Sequence, residues 1–167
     1  MRALGAVVVG FIAVVAMACG SVGSDVGASP AAVASGSIPP VVRSVLAAAQ
    51  PSGAPADNLE LVRYTIQPGT ALAPHRHPGT QLALVESGTL TYTVIEGEVM
   101  IHQVDGGSRV IRPGDTATIE AGEWIMEHEG IVHFGANDGD VPVVILASSL
   151  LEADEPPAIP VESPAAS

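Results

Sequence analysis

The stretch GTALAPHRHPGTQLALVESG, residues 69–88, and a second, GEWIMEHEGIVHFGAN, residues 122–137, decide how this chain is read. In the first, His75 and His77 are separated by one residue just after the turn at Pro68-Gly69. Residues i and i+2 of an extended segment share a face, so the two imidazoles project to one side. Two neutral imidazoles on one face are half of a first-row metal site. Such a pair also occurs by chance in surface loops, so its weight depends on the surrounding frame.

Working outward, short β signals alternate with turn residues. Leu59 to Ile66 is stopped by Pro68-Gly69, Leu82 to Val85 by Glu86-Ser87-Gly88, and Thr89 to Ile95 by Glu96-Gly97. Val99 to Val104 ends at Asp105-Gly106-Gly107, Val110-Ile111 precedes Arg112-Pro113-Gly114-Asp115, and Thr116 to Ile119 precedes Ala121-Gly122. Val141 to Ser148 is the last apolar run. Leu90-Thr91-Tyr92-Thr93-Val94 alternates with period two, as a half-buried antiparallel strand requires. Many short strands with no long helix indicate an all-β sandwich or barrel. Ile38 to Ala49 is open between a short helix and a strand packed outside the barrel: Val41, Val42, Val45 and Leu46 have helical spacing, but Pro39-Pro40 and Pro51 bracket them.

The spacings carry more than the pattern. Gly69, five residues, His75-Arg76-His77, three residues, Gln81, six residues, Gly88 resembles the first motif of the cupin superfamily, with Gln81 where the family has Glu. Gly122, five residues, His128, Glu129, Gly130, two residues, His133, three residues, Asn137 resembles the second, with His128 where the family has Pro. The resemblance covers roughly Leu59 to Leu150 and implies a single jelly-roll barrel, the double-stranded β-helix. It also implies that His75, His77, His133 and the residue at position 81 converge on one divalent transition-metal ion (Fe, Mn, Zn, Ni or Cu). A Gln81 ligand would bind through its neutral carbonyl, leaving the ion a stronger Lewis acid held less tightly.

The other polar candidates read more plainly. His128 is expected in an exposed turn, His102 on the surface, and Asn137 in a backbone hydrogen bond between strands. Tyr92, Trp124 and Met126 are expected to pack in the core. Glu86 and Glu127 are acid–base candidates by nearness in sequence alone, each with a solvated strand end as the default, so no general base is evident beside the histidines.

Composition bounds the rest. The chain of 167 residues suits one domain. It carries 18 Asp and Glu against 6 basic residues, all Arg, for a formal net charge of -12. A surface so acidic, with no basic patch, excludes nucleic acid as a partner. Residues 1–18 read as an export signal: Arg2, then an unbroken small and apolar run to Ala16-Met17-Ala18, too short for a membrane span, which needs about 20 residues. Cys19, the single cysteine, follows directly with Gly20-Ser21. That arrangement resembles a bacterial lipobox, so Cys19 is the expected lipidation site and the chain an exported cell-envelope lipoprotein, or otherwise a secreted protein. Residues 19–37 are linker-like, 38–153 form the barrel, and the acidic, Pro-rich residues 154–167 are expected to be unstructured. The expected partners are a small-molecule ligand, a membrane only through the N-terminal lipid, and a second copy of the chain. The function implied is that of a metal-dependent enzyme on a small molecule, or else a non-catalytic binding module.

Overall fold

A computed structural model describes residues 38–162. The expected export signal, Cys19 and the linker lie outside the described residues, as do residues 163–167 of the tail. Thirteen strands and no helix occur among the described residues: β1 Val41–Ala49, β2 Asp57–Ile66, β3 Thr70–Ala71, β4 His75–Arg76, β5 Gly79–Ser87, β6 Thr89–Glu96, β7 Val99–His102, β8 Ser108–Ile111, β9 Thr116–Glu120, β10 Trp124–Glu127, β11 Val132–Asn137, β12 Val143–Glu152 and β13 Ile159–Pro160. They form a seven-stranded sheet, β1-β2-β12-β5-β10-β7-β8, and a six-stranded sheet, β13-β4-β11-β6-β9, with β3 alongside β11. The fold is an all-β jelly-roll barrel.

Alternation builds the core between the sheets. On β6, Leu90, Tyr92 and Val94 are buried while the threonines between them are half-buried. On β12, Val143, Ile145, Ala147, Ser149 and Leu151 all point inward. Val143 and Ile145 of that row join Ile66 of β2, Val85 of β5, Ile101 of β7, Ile119 of β9 and Ile125 of β10 in one core cluster. Ser149 is the one polar residue in the β12 row, and its partner is part of the site described below. At the β5–β6 turn, Gly88 has φ of 77°, and a Cβ there would lie 2.8 Å from the Pro142 carbonyl oxygen, so only glycine closes this corner.

The segment left open between helix and strand is β1. It runs antiparallel to β2 at the sheet edge, with a bulge between Val45 and Ala47. Its helical spacing misleads because an edge strand buries so little: only Val41 and Val42 are even half-buried.

The tail departs from expectation. Ile159 and Pro160 pair with Arg76 and His75, and the Val161 amide donates to the Pro74 carbonyl at 2.9 Å. Residues 155–162 thus form a strap along β4. The prolines at 156, 157 and 160, which suggest disorder by composition, also restrict the unfolded chain and lower the entropy cost of docking. Pro160 sits on an edge strand, where its missing N–H costs no ladder bond.

Candidate metal centre

Strands β4 and β11 bring the three histidines together. His75 lies opposite His133 in the β4–β11 pairing, and His77 follows two residues later on the same face. A nitrogen from each lies within 4.8 Å of those of the other two. Their ring centroids are 5.1, 4.4 and 5.2 Å apart. The expectation that these three converge is met, and they could hold a metal ion.

The tautomers suit that role. His75 Nδ1 lies 2.8 Å from the Ala73 carbonyl oxygen, and His77 Nδ1 lies 2.6 Å from that of Pro157. A carbonyl only accepts, so both rings carry a proton on Nδ1, and Nε2 is the nitrogen each can offer to a metal. Metal-ligating histidines are oriented in this way by a partner on the far nitrogen. The strap therefore fixes one of the three rings. His133 Nδ1 is buried without a hydrogen-bond partner, and its ring stacks on Tyr92 with centroids 5.1 Å apart.

Gln81 is inside the site, buried on β5, but its carbonyl faces away from the histidines. The Ser149 hydroxyl donates to Gln81 Oε1 at 2.8 Å. The amide nitrogen donates to Glu127 Oε2 at 2.9 Å and lies 3.1 Å from His77 Nε2. Glu127 can only accept, so the network settles which end of the amide faces inward. The atom that could ligate is engaged by Ser149.

Glu127 does not lie at the solvated strand end expected of it. It is 2% exposed, not solvated. It stands directly opposite Gln81 in the β5–β10 register. Its Oε1 lies 3.0 Å from His133 Nε2 and accepts from the Tyr92 hydroxyl at 2.8 Å; its Oε2 lies 3.3 Å from His77 Nε2. Burial by itself would raise its pKa, but His133, His77 and the Gln81 amide outweigh burial and hold the carboxyl well below the usual range. The signal was present in the strand: Ile125 is a core residue, so Glu127, two positions on, shares its inward face. Trp124 and Met126 then face outward, against the expectation of core packing, and Trp124 stacks on His102 at a centroid distance of 3.7 Å.

The imidazoles answer to the same surroundings. Burial pushes His75 down, and it takes His133 down to about 4. Burial would lower His77 too, but its contact with Glu127 prevails and raises it. Burial, reinforced by the Glu127 charge, pushes the Tyr92 phenol well up, so it stays a hydrogen-bond donor.

The remaining candidates behave as expected. Glu86 is an exposed partner of Arg63 at 2.7 Å, and His128 is exposed in a turn. Asn137 donates through Nδ2 to the carbonyls of Ile66 and Val141, each at 2.9 Å, and accepts from the Gly139 amide, joining strands without facing the cavity.

Above the histidines opens a cavity of about 320 Å³. Its walls are aliphatic, including Val41, Ile66, Leu72, Leu90 and Ile145, while Ala158 and Pro160 of the strap close part of its rim. Tyr64 aside, the polar side chains collect at its floor: the three histidines, Gln81, Glu127 and Tyr92.

A double-stranded β-helix protein from Klebsiella pneumoniae subsp. pneumoniae MGH 78578 is similar at 25% identity, over 75% of this chain and 89% of that one, with a TM-score of 0.38. A cupin domain from Bordetella pertussis Tohama I is 16% identical over 67% of this chain and 94% of its own, with a TM-score of 0.42. Oxalate decarboxylase from Bacillus subtilis is 21% identical over 62% of this chain but only 23% of its own, with a TM-score of 0.41. No curated protein sequence matches. The cupin domain family model matches residues 62–149, more than half of the chain and both histidine segments. The chain belongs to the cupin domain family.

Proposed function

We propose that this protein is an exported, metal-dependent cupin enzyme acting on a small molecule with a largely apolar body and one oxygen-bearing head group. The observation that carries the reading is the cluster of His75, His77 and His133 at the floor of an aliphatic cavity of about 320 Å³. Three histidine nitrogens facing an open cavity follow the layout of catalytic metal sites, which keep a position free for substrate. A divalent ion there supplies Lewis acidity toward a substrate oxygen that reaches the floor. The protein's own part is to bind the apolar body, exclude water, and hold the Tyr92 hydroxyl and Glu127 carboxylate beside the reacting end.

The cavity also argues for a substrate class. No Arg or Lys is among the described residues that line it, so nothing balances a second anionic group. A small dicarboxylate such as oxalate is a poor fit for this lining, and the likeness to oxalate decarboxylase does not bring its substrate here. The aliphatic walls favour one further reading, a non-catalytic binding module that holds such a molecule unchanged.

Metal analysis of protein purified without an affinity tag, followed by a thermal-shift panel of small molecules, tests the proposal. The expected result is close to one divalent ion per chain and larger shifts for singly headed apolar compounds than for dicarboxylates. Mass analysis of the best ligand after incubation separates enzyme from binder. A metal content equally low in the native protein and in His77→Ala would overturn the metal reading.

A further inference from the structure

We infer that the acidic ligand of this barrel has moved one strand over, so that Glu127 of β10 completes the metal site and Gln81 of β5 positions it. The inference rests on the metal reading above and adds a ligand to it.

Four observations support it. Gln81 and Glu127 are opposite each other in the β5–β10 register, and directly opposed residues in antiparallel strands share a face with their Cβ atoms about 5 Å apart. A carboxylate exchanged between those positions still reaches the same volume. The Glu127 oxygens are also divided between two ligating rings, Oε1 at 3.0 Å from His133 Nε2 and Oε2 at 3.3 Å from His77 Nε2. Two donors bound to one ion at about 2.1 Å stand about 3.0 Å apart at a right angle and about 3.4 Å apart at a tetrahedral angle. The observed separations fall on these ligand-to-ligand edges. Next, the Pro157 carbonyl takes the Nδ1 proton of His77 and so turns Nε2 toward the Glu127 carboxylate at 3.3 Å, a nitrogen and an oxygen placed to share one cation between them. Finally, Gln81 spends both ends of its amide on orientation, donating to Glu127 Oε2 and accepting from Ser149. That is how a neighbour holds a ligating carboxylate in place.

The charge consequence is direct. Three neutral imidazoles and a carboxylate leave a divalent ion at a net +1, as the Glu of the family motif would, although position 81 is neutral. Gln81→Glu alone would set a second carboxylate where an N–H···O bond of 2.9 Å now lies, and the two would repel.

Titration of the untagged, metal-stripped full chain with Co(II), read by its visible absorption, and with Zn(II), read by calorimetry, tests the assignment. The variants are Glu127→Gln, which keeps the shape, and the exchanged pair Gln81→Glu/Glu127→Gln, which returns the carboxylate to β5. Circular dichroism of each metal-free variant checks folding. Glu127→Gln is expected to weaken binding at least about tenfold and to change the Co(II) spectrum, the scale of losing a partner at a metal site. The exchanged pair is expected to recover most of that loss. If Glu127→Gln binds within about twofold of the native chain with an unchanged spectrum, the carboxylate is only an ionic partner of the histidines and the inference is overturned while the metal reading stands. If the native chain binds neither metal, both are overturned.

Discussion

Tyr92→Phe removes one oxygen from the middle of the site and keeps everything else that the ring does. The phenyl ring retains its stacking on His133, with centroids 5.1 Å apart, and its place in the core row with Leu90 and Val94. What disappears is the donation to Glu127 Oε1 at 2.8 Å, between two groups each 2% exposed. A hydrogen bond to a buried charge contributes about 1.5–3 kcal/mol, roughly twice a neutral one. Glu127 Oε1 keeps His133 at 3.0 Å, so the carboxylate is not stranded and the lower half of that range applies, about 1.5–2 kcal/mol. For a domain of this size, that is a fall in Tm of about 5–8 °C. Urea unfolding of the metal-free protein gives the free energy directly, and an unchanged m-value would show that the native and denatured states keep their compactness. A loss under about 0.5 kcal/mol, the usual scatter of neutral substitutions, would refute the reasoning: the phenol would then not be donating to an ionised carboxylate.

Three further outcomes follow from other parts of the structure. Ending the chain after Ala153 removes the strap and the Pro157 carbonyl that holds His77, and should weaken metal binding about tenfold or more, measured by the same titrations. On acidification, protons should displace metal first at His77, whose pKa is raised by its carboxylate partner, while the depressed His75 and His133 stay neutral to lower pH. Affinity should therefore fall as pH drops through the His77 pKa and recover above it, as pH-resolved titration would show. In cells, Cys19→Ser should convert a membrane-bound, exported protein into a soluble exported one; membrane retention with unchanged mobility on fractionation would count against lipidation.

The barrel was legible because its signals are local. Period-two alternation on β6 and the turn residues between strands can be read without knowing which strands pair, and the spacing of the two histidine segments named the three metal-binding candidates. What the sequence hid depends on partners far along the chain. Glu127 sits 46 positions from Gln81, and only the strand register shows that they face each other; the neighbouring Trp124 and Met126 drew attention to the wrong face. Ser149 lies 68 positions from Gln81 and turns its carbonyl away from the histidines, which no reading of the Gln81 segment could foresee. The strap was missed for a similar reason. Its composition resembles disorder, and the free backbone edge of β4 that receives it becomes visible only once the barrel is closed.

Everything proposed for this site depends on His75, His77 and His133 holding one divalent ion at the cavity floor. X-ray absorption of the metal-loaded, untagged protein measures that shell most directly. Three imidazole nitrogens are expected at about 2.0–2.2 Å from the ion, with one imidazole lost in each single His→Ala variant that still binds metal. A shell with fewer than two imidazoles, or one unchanged by removing His133, would contradict it.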